Sequence, residues 1–119
     1  MSIILLVADN ERTIDSVTAS LSEPGTSVIV ERDPEAAVSV VKEERVDAVI
    51  VDMRVASMGA IAVTHSVRDA TGGDVPITIL LDRADDTFLA RRSGADNWVV
   101  KPVKTSELRA AVSLDGSSS

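Results

Sequence analysis

Four apolar runs in the chain each lead into polar residues that could take part in chemistry. Asp52 follows Ala48 to Val51 directly, so a carboxylate stands at the end of a segment typical of a buried strand. A single aspartate such as Asp9 is as often a helix cap, but two carboxylates and an ammonium group brought together could hold a cation and an anion. Asp52 is therefore the candidate reactive group. The residues at the ends of these runs are Asp9 and Asn10, Asp52, Leu81 and Asp82, and Lys101 and Pro102.

The apolar runs alternate with segments of helical spacing, which predicts the elements that position these side chains. The five predicted strands are Ile3 to Ala8, Ser27 to Glu31, Ala48 to Val51, Ile77 to Leu81 and Asn97 to Val100. The expected helix starts are Asn10 or Glu11, Asp33, Ser57, about Asp85, and Thr105 as a cap. Asp33 and Pro34 are typical of a cap and a first helical residue, and Gly94 is typical of a left-handed residue that ends a helix.

Five strands alternating with five helices predict an α/β fold, namely a doubly wound five-stranded parallel sheet of the flavodoxin-like (βα)5 type. The crossovers are expected to be right-handed, because each helix must pack back onto the sheet. Ligands bind such folds outside the carboxyl ends of the strands, at the point where the strand order reverses. An acidic pocket is therefore expected at that edge, in one domain over residues 1–114 followed by a flexible tail over residues 115–119.

Composition excludes several classes of function. The net charge of -7, from 19 acidic and 12 basic residues, argues against direct binding of nucleic acid. The chain has no cysteine, which fits a reducing cytoplasm. The opening apolar run is too short to span a bilayer and has no basic segment before it, so we expect a cytoplasmic chain with no membrane segment. No residue set typical of an independent enzyme is present, so no enzymatic activity is expected.

Three segments resemble the signature blocks of the response-regulator receiver domain of two-component signalling. They are Leu6 to Glu11 (LVADNE), Asp47 to Arg54 (DAVIVDMR) and Gly94 to Pro102 (GADNWVVKP), of which the last is the most specific. The resemblance extends from Ile3 to about Val112. It implies a receiver fold and a phosphoryl group received from a histidine kinase, a phosphotransfer protein or a small phosphodonor.

The resemblance also implies roles for individual residues. Asp52 matches the phosphoacceptor, and Lys101 matches the lysine that neutralises the bound phosphoryl group. Asp9, Asn10, Asp52 and the backbone carbonyl of Arg54 match a magnesium site, in which the Arg54 side chain need not matter. A carboxylate is a poor nucleophile towards an anionic phosphate unless a cation screens their repulsion, so acceptor, metal and lysine must lie close together.

The sequence departs from the family pattern at several positions of this pocket. Asn10 replaces the second acidic residue, so magnesium binding is expected to be weak. Leu81 stands where the family has a Thr or Ser whose hydroxyl bonds the phosphoryl oxygen and couples phosphorylation to movement. Asp82, which is expected in the pocket with Pro102, replaces a small residue, and could either restore the charge missing at position 10 or repel phosphate. Ala56 replaces the usual proline of the loop after Asp52, which loosens that turn.

Trp98 matches the family's switch aromatic, although it could equally be an anchor at the edge of the fifth strand. A downstream protein, or a second copy in a homodimer, is expected on the face formed by the fourth helix, the fifth strand and the fifth helix. A flavin-binding domain of the same fold is disfavoured, because the chain has almost no aromatic residues to flank the ring.

Two functions stay open. One is a single-domain response regulator of a phosphorelay with impaired or atypical switching, which Asp9, Asp52 and Lys101 favour. The other is a pseudo-receiver that acts by protein contacts without phosphorylation, which Asn10, Leu81 and Asp82 favour.

Overall fold

The computed structural model describes residues 2–54 and 60–112. Its strands are β1 (Ser2–Val7), β2 (Thr26–Glu31), β3 (Ala48–Asp52), β4 (Ile77–Leu81) and β5 (Asn97–Val100). Its helices are α1 (Glu11–Ser20), α2 (Pro34–Glu43), α3 (Ala60–Thr71), α4 (Thr87–Ser93) and α5 (Thr105–Val112), with a 3-10 turn, Ala84–Asp86, before α4. Each predicted strand agrees with an observed one to within a residue at either end.

The five strands form one parallel sheet in the order β2-β1-β3-β4-β5, which confirms the predicted doubly wound α/β fold. The chain places β2 on one side of β1 and then β3 on the other, so the strand order reverses between β1 and β3. The register sets Asp52 beside Leu80, and Leu81 beside Val100. The carboxyl ends of β1, β3, β4 and β5 therefore share the edge at which ligands bind such sheets.

The core lies in layers on both faces of the sheet, because alternate residues of a strand point to opposite faces. Leu6 of β1 belongs to the buried cluster that includes residues of α1 and α5. Its neighbours Leu5 and Val7 belong to the cluster that includes Ala37 of α2 and Val63 of α3. Helices on both faces bury every residue of β3 and β4, and this burial fixes which side chains are left at the strand ends.

The helix ends follow from local sequence signals. The side chain of Asp33 accepts a hydrogen bond from the Glu35 backbone N–H at 3.0 Å, and Gly94 ends α4 with a φ of 87°, so both predictions are confirmed. α4 is shorter than expected, because Asp85 lies in the 3-10 turn. The prediction that Thr105 caps α5 is wrong by one position, because α5 begins at Thr105 itself.

Several predictions fall outside the described residues. These are the loop that contains Ala56, the helix start near Ser57, the domain boundary at 114 and the tail over residues 115–119. Within residues 2–54 and 60–112, no helix is long and apolar enough to cross a bilayer.

Candidate functional site

A cleft of about 490 Å³ opens at the carboxyl edge of the sheet, where the strand order reverses. It brings together seven of the predicted site residues. They are Asp9, Asn10, Asp52, Arg54, Asp82, Lys101 and Pro102. The groups from the ends of β1, β3 and β5, which lie far apart in the sequence, therefore share one cavity.

Asp52, the last residue of β3, is fully buried and is the one charged residue in the core of the described chain. Its Oδ1 accepts hydrogen bonds from the Arg54 backbone N–H at 3.1 Å and from the Lys101 ammonium at 2.9 Å. Its Oδ2 is buried and has no hydrogen-bond partner among the described residues. A buried carboxylate oxygen is costly unless a donor or a cation satisfies it, so this oxygen is the open position of the site.

Lys101 follows β5 directly, and its backbone N–H donates to the Leu81 carbonyl at 2.7 Å, which extends the pairing of β4 and β5 by one step. The peptide bond to Pro102 is cis. The Lys101 side chain is only 21% exposed and reaches back over the sheet edge. Besides Asp52, the ammonium group contacts Asp82 Oδ1 at 3.0 Å.

Asp82 lies between two cations. In addition to its contact with Lys101, its Oδ2 is 3.4 Å from Arg54 Nε. The Arg54 guanidinium is 75% exposed and thus takes part in an ion pair at the mouth of the cleft, whereas its expected role in the metal site concerns the backbone carbonyl and stays a prediction. The sequence alone left two roles open for Asp82, and the ion pairs show that it binds the cations of the site.

The cleft is not the acidic pocket that the sequence suggested. Its acidic lining residues are Asp9, Asp52 and Asp82, and its basic ones are Arg12, Arg54 and Lys101. The cleft is balanced because cations from three different parts of the chain converge on the strand ends, and the order of charges along the chain does not indicate this. A balanced cleft avoids the cost of leaving several carboxylates unscreened.

Within residues 2–54 and 60–112, no three acidic, histidine or cysteine side chains are arranged so that together they could hold a metal ion. A magnesium ion in this cleft would therefore use fewer than three such side chains. Magnesium usually takes one or two carboxylates from the protein and completes its shell with carbonyls, water or phosphate. Asp9 and Asp52 line the same cleft and each brings a carboxylate to it, which is the number that magnesium usually takes.

The side chain of Asn10 forms a hydrogen bond with the backbone of α1. Its Oδ1 accepts a hydrogen bond from the Thr13 backbone N–H at 3.1 Å and caps α1. Although Asn10 lines the cleft, the amide oxygen that was predicted to bind metal is already engaged with the helix.

Leu81 and Trp98 do not line this cleft. Leu81 is fully buried in a cluster with Ile79 and Ala90, and Trp98 packs against that cluster from β5. The guanidinium of Arg91 lies 6.0 Å from the centre of the Trp98 ring. The position of the expected switch hydroxyl is thus occupied by an apolar side chain within an apolar environment.

Sequence reasoning did not identify four lining residues, namely Arg12, Thr13, Ser16 and Val103. Arg12 and Ser16 are four residues apart on α1 and so share one helix face. That spacing, together with the position of α1 directly after Asp9, was the signal that could have found them. Arg12 is an exposed cation at the rim of the cleft.

Comparison with known proteins gives a consistent result. The sequence model of the response regulator receiver domain matches residues 4–113. The DNA-binding response regulator MtrA of Mycolicibacterium smegmatis is 36% identical over 111 residues, which are 92% of this chain and 48% of that protein. The response regulator MprA of Mycolicibacterium vanbaalenii is 32% identical over 113 residues, again 92% of this chain and 48% of the relative. The chain therefore spans about half the length of the curated relatives it matches.

Solved structures agree with the fold. The receiver domain of the sensor histidine kinase PA1611 of Pseudomonas aeruginosa, solved with a magnesium ion in its active site cleft, has a TM-score of 0.83 and 28% identity, with 95% of each chain covered. The chemotaxis protein CheY4 of Vibrio cholerae has a TM-score of 0.82 and 23% identity, and the match covers 96% of this chain and 98% of that one.

Proposed function

The chain belongs to the response regulator receiver domain family, and on that premise we propose that it accepts a phosphoryl group on Asp52. Receiver domains interact with histidine kinases or phosphotransfer proteins, which are the donors we propose here, in the cytoplasm. Because the chain spans about half of the curated relatives, the proposal concerns the receiver domain alone.

One observation carries this proposal: the carboxylate of Asp52 has one oxygen held and one oxygen open. Lys101 and the Arg54 backbone N–H hold Oδ1, so the carboxylate is fixed in orientation at the floor of the cleft. Oδ2 has no hydrogen-bond partner among the described residues and is the oxygen that can form a new bond. Most buried polar atoms in folded proteins have a hydrogen-bond partner, so an open oxygen beside a held one marks the position at which Asp52 can bind a further group.

The transfer step balances as a simple displacement. Asp52 Oδ2 attacks the phosphorus of a phosphohistidine, a new P–O bond forms, and the P–N bond of the donor breaks. The electron pair of the broken bond stays on the imidazole nitrogen. Lys101 neutralises charge as the anion approaches, and two unit charges about 4 Å apart interact by about 4 kcal/mol at the dielectric typical of such sites.

In this proposal Asp9, Asp52 and the backbone carbonyl of Arg54 would hold a magnesium ion. When bound, the ion supplies positive charge that screens the acceptor from the phosphoryl oxygens. We propose that its binding is weak, because Asn10 stands in place of the family's second acidic residue and Lys101 already neutralises the charge of Asp52.

We further propose that phosphorylation is not coupled to the rest of the domain through position 81. Leu81 has no hydroxyl to follow a phosphoryl oxygen and is packed among apolar neighbours. A partner protein, or a second copy, would instead contact the face of α4, β5 and α5. On that face Phe88 is 55% exposed, and β5 is an edge strand of the sheet.

A second candidate, the pseudo-receiver that signals without phosphorylation, is favoured by the contact between Lys101 and Asp82. That contact uses an N–H donor of Lys101 that a phosphoryl group would need. The two candidates differ in one measurable property, the covalent modification of the chain.

The test is the intact mass of the protein after incubation with an acyl phosphate and magnesium. The wild type should gain one phosphate mass, and Asp52→Asn should gain none. Asp69→Asn, an exposed aspartate on α3, is the matched control and should be modified like the wild type. An unchanged wild-type mass at saturating donor would favour the pseudo-receiver.

A further inference from the structure

The ammonium group of Lys101 is shared between two carboxylates. It lies 2.9 Å from Asp52 Oδ1 and 3.0 Å from Asp82 Oδ1. An ammonium has three N–H donors, so these two contacts leave one donor for any further anion. Whatever anion binds above Asp52 must therefore compete with Asp82 for Lys101.

Asp82 also binds the second cation of the site. Its other oxygen is 3.4 Å from Arg54 Nε, so the carboxylate bridges an ammonium and a guanidinium. Phosphate oxygens bind to the same two kinds of cation, and the guanidinium in particular suits oxyanions. Asp82 is 31% exposed, so it lies at the mouth of the cleft rather than at its floor.

We propose that Asp82 is a built-in competitor of the phosphoryl group, holding Lys101 and Arg54 in the unmodified chain and releasing Lys101 when Asp52 is phosphorylated. This inference rests on the proposed function of Asp52. Asp82 acts through the two cations and is therefore a positioning residue that sets how readily the site accepts an anion.

The release of Asp82 also offers a route from the site to the surface. Asp82 is the first residue after β4 and lies two residues before the 3-10 turn that leads into α4. Its two ion pairs tie this connection to β3 and β5. Loss of the contact with Lys101 would free the start of the connection to α4, a coupling that needs no hydroxyl at position 81.

The experiment compares the rate of modification by an acyl phosphate in magnesium for Asp82→Asn, Asp82→Glu and Asp85→Asn. In the reaction Asp52 forms a P–O bond, the donor's P–O bond breaks, and the donor leaves as a carboxylate with the electron pair. Asp85 is an exposed carboxylate in the neighbouring turn, so Asp85→Asn makes the same change in net charge. Asp82→Asn should raise the rate of modification roughly tenfold, equivalent to about 1.4 kcal/mol of barrier. Asp85→Asn should react at close to the wild-type rate. Asp82→Glu keeps the carboxylate and should react more slowly than Asp82→Asn.

Equal rates for Asp82→Asn and Asp85→Asn would overturn the inference while leaving phosphorylation of Asp52 intact. The absence of modification in every variant would instead contradict the proposed function.

Binding of inorganic phosphate in the presence of magnesium, measured by phosphorus NMR, tests the role of Asp82 whether or not Asp52 is modified. Asp82→Asn should bind phosphate roughly tenfold more tightly than Asp85→Asn, and adding Lys101→Met should remove the gain. A gain that survives the loss of Lys101, or no gain at all, would overturn the role of Asp82.

Discussion

Replacing Lys101 by methionine should expose the energetic cost of the buried carboxylate of Asp52. Methionine keeps much of the length and apolar stem of lysine but removes the ammonium group. Asp52 would then retain only the Arg54 backbone N–H among its described hydrogen-bond donors. The fully buried carboxylate would have lost its cation.

The size of the effect follows from the geometry. Removing one partner of a buried ion pair typically costs about 3–5 kcal/mol, because the remaining charge is left uncompensated. The Lys101 side chain is 21% exposed, so part of its charge is screened by solvent. We therefore expect the free energy of unfolding of Lys101→Met to fall by about 2–4 kcal/mol, a large share of the stability of a domain of this size.

Asp52→Asn should behave differently, because it removes the buried charge itself. Its free energy of unfolding should stay within about 1 kcal/mol of the wild type or exceed it. In the Asp52→Asn background, Lys101→Met should cost less than about 1 kcal/mol, since no buried charge remains for the lysine to neutralise.

Urea denaturation followed by circular dichroism, with a chelator present so that no metal contributes, measures all four corners of this cycle. Lys104→Met is the control, because Lys104 is an exposed lysine three residues away, and it should change stability by less than about 0.5 kcal/mol. A cost for Lys101→Met that is the same in both backgrounds would refute the reasoning, since the lysine would then act independently of Asp52.

Three further changes test other parts of the structure. Leu81→Thr should lower the free energy of unfolding by about 1–3 kcal/mol more than Leu81→Val, because the hydroxyl would be buried among Ile79 and Ala90; equal losses in urea denaturation would mean that the hydroxyl finds a partner. With a phosphodonor, the emission of Trp98 should change little in the wild type and more in Leu81→Thr than in Leu81→Val. Asn10→Ala should lower the free energy of unfolding by about 1 kcal/mol, because a helix cap is lost. In calorimetric titration it should leave the magnesium affinity nearly unchanged, whereas Asp9→Asn should weaken it. Equal weakening in both variants would mean that Asn10 binds the metal. Gly94→Ala should lower stability by about 1–2 kcal/mol, because φ is 87° at the end of α4; an unchanged melting temperature would show that the backbone relaxes there.

The fold could be predicted from the sequence because its signals are local. An apolar run such as Ala48 to Val51 is typical of a strand buried on both faces, and Asp33 with Pro34 indicates the start of a helix. Because strands and helices alternate along the chain, few topologies are possible, and the expected one is a parallel sheet whose strands have their carboxyl ends at one edge. The gathering of Asp9, Asp52 and Lys101 in one cleft follows from that edge.

The pairing of side chains within the cleft could not be predicted in the same way. Asp82 meets Lys101 across 19 residues, and which of several nearby cations it contacts depends on side-chain conformations set by the whole packed edge. The ion pair between Arg54 and Asp82 could not be predicted for the same reason. For Asn10, the hydrogen bond to the helix backbone is decided by the start of α1, which could be placed only to within a residue.

Mapping the site of phosphorylation shows whether Asp52 is the residue that accepts the phosphoryl group. After reaction with an acyl phosphate in magnesium, borohydride reduces an aspartyl phosphate to homoserine, and peptide mass spectrometry then locates the changed residue. We expect homoserine at position 52 and at no other aspartate. Homoserine at position 9 or 82, or none anywhere in a folded protein at saturating donor, would contradict it.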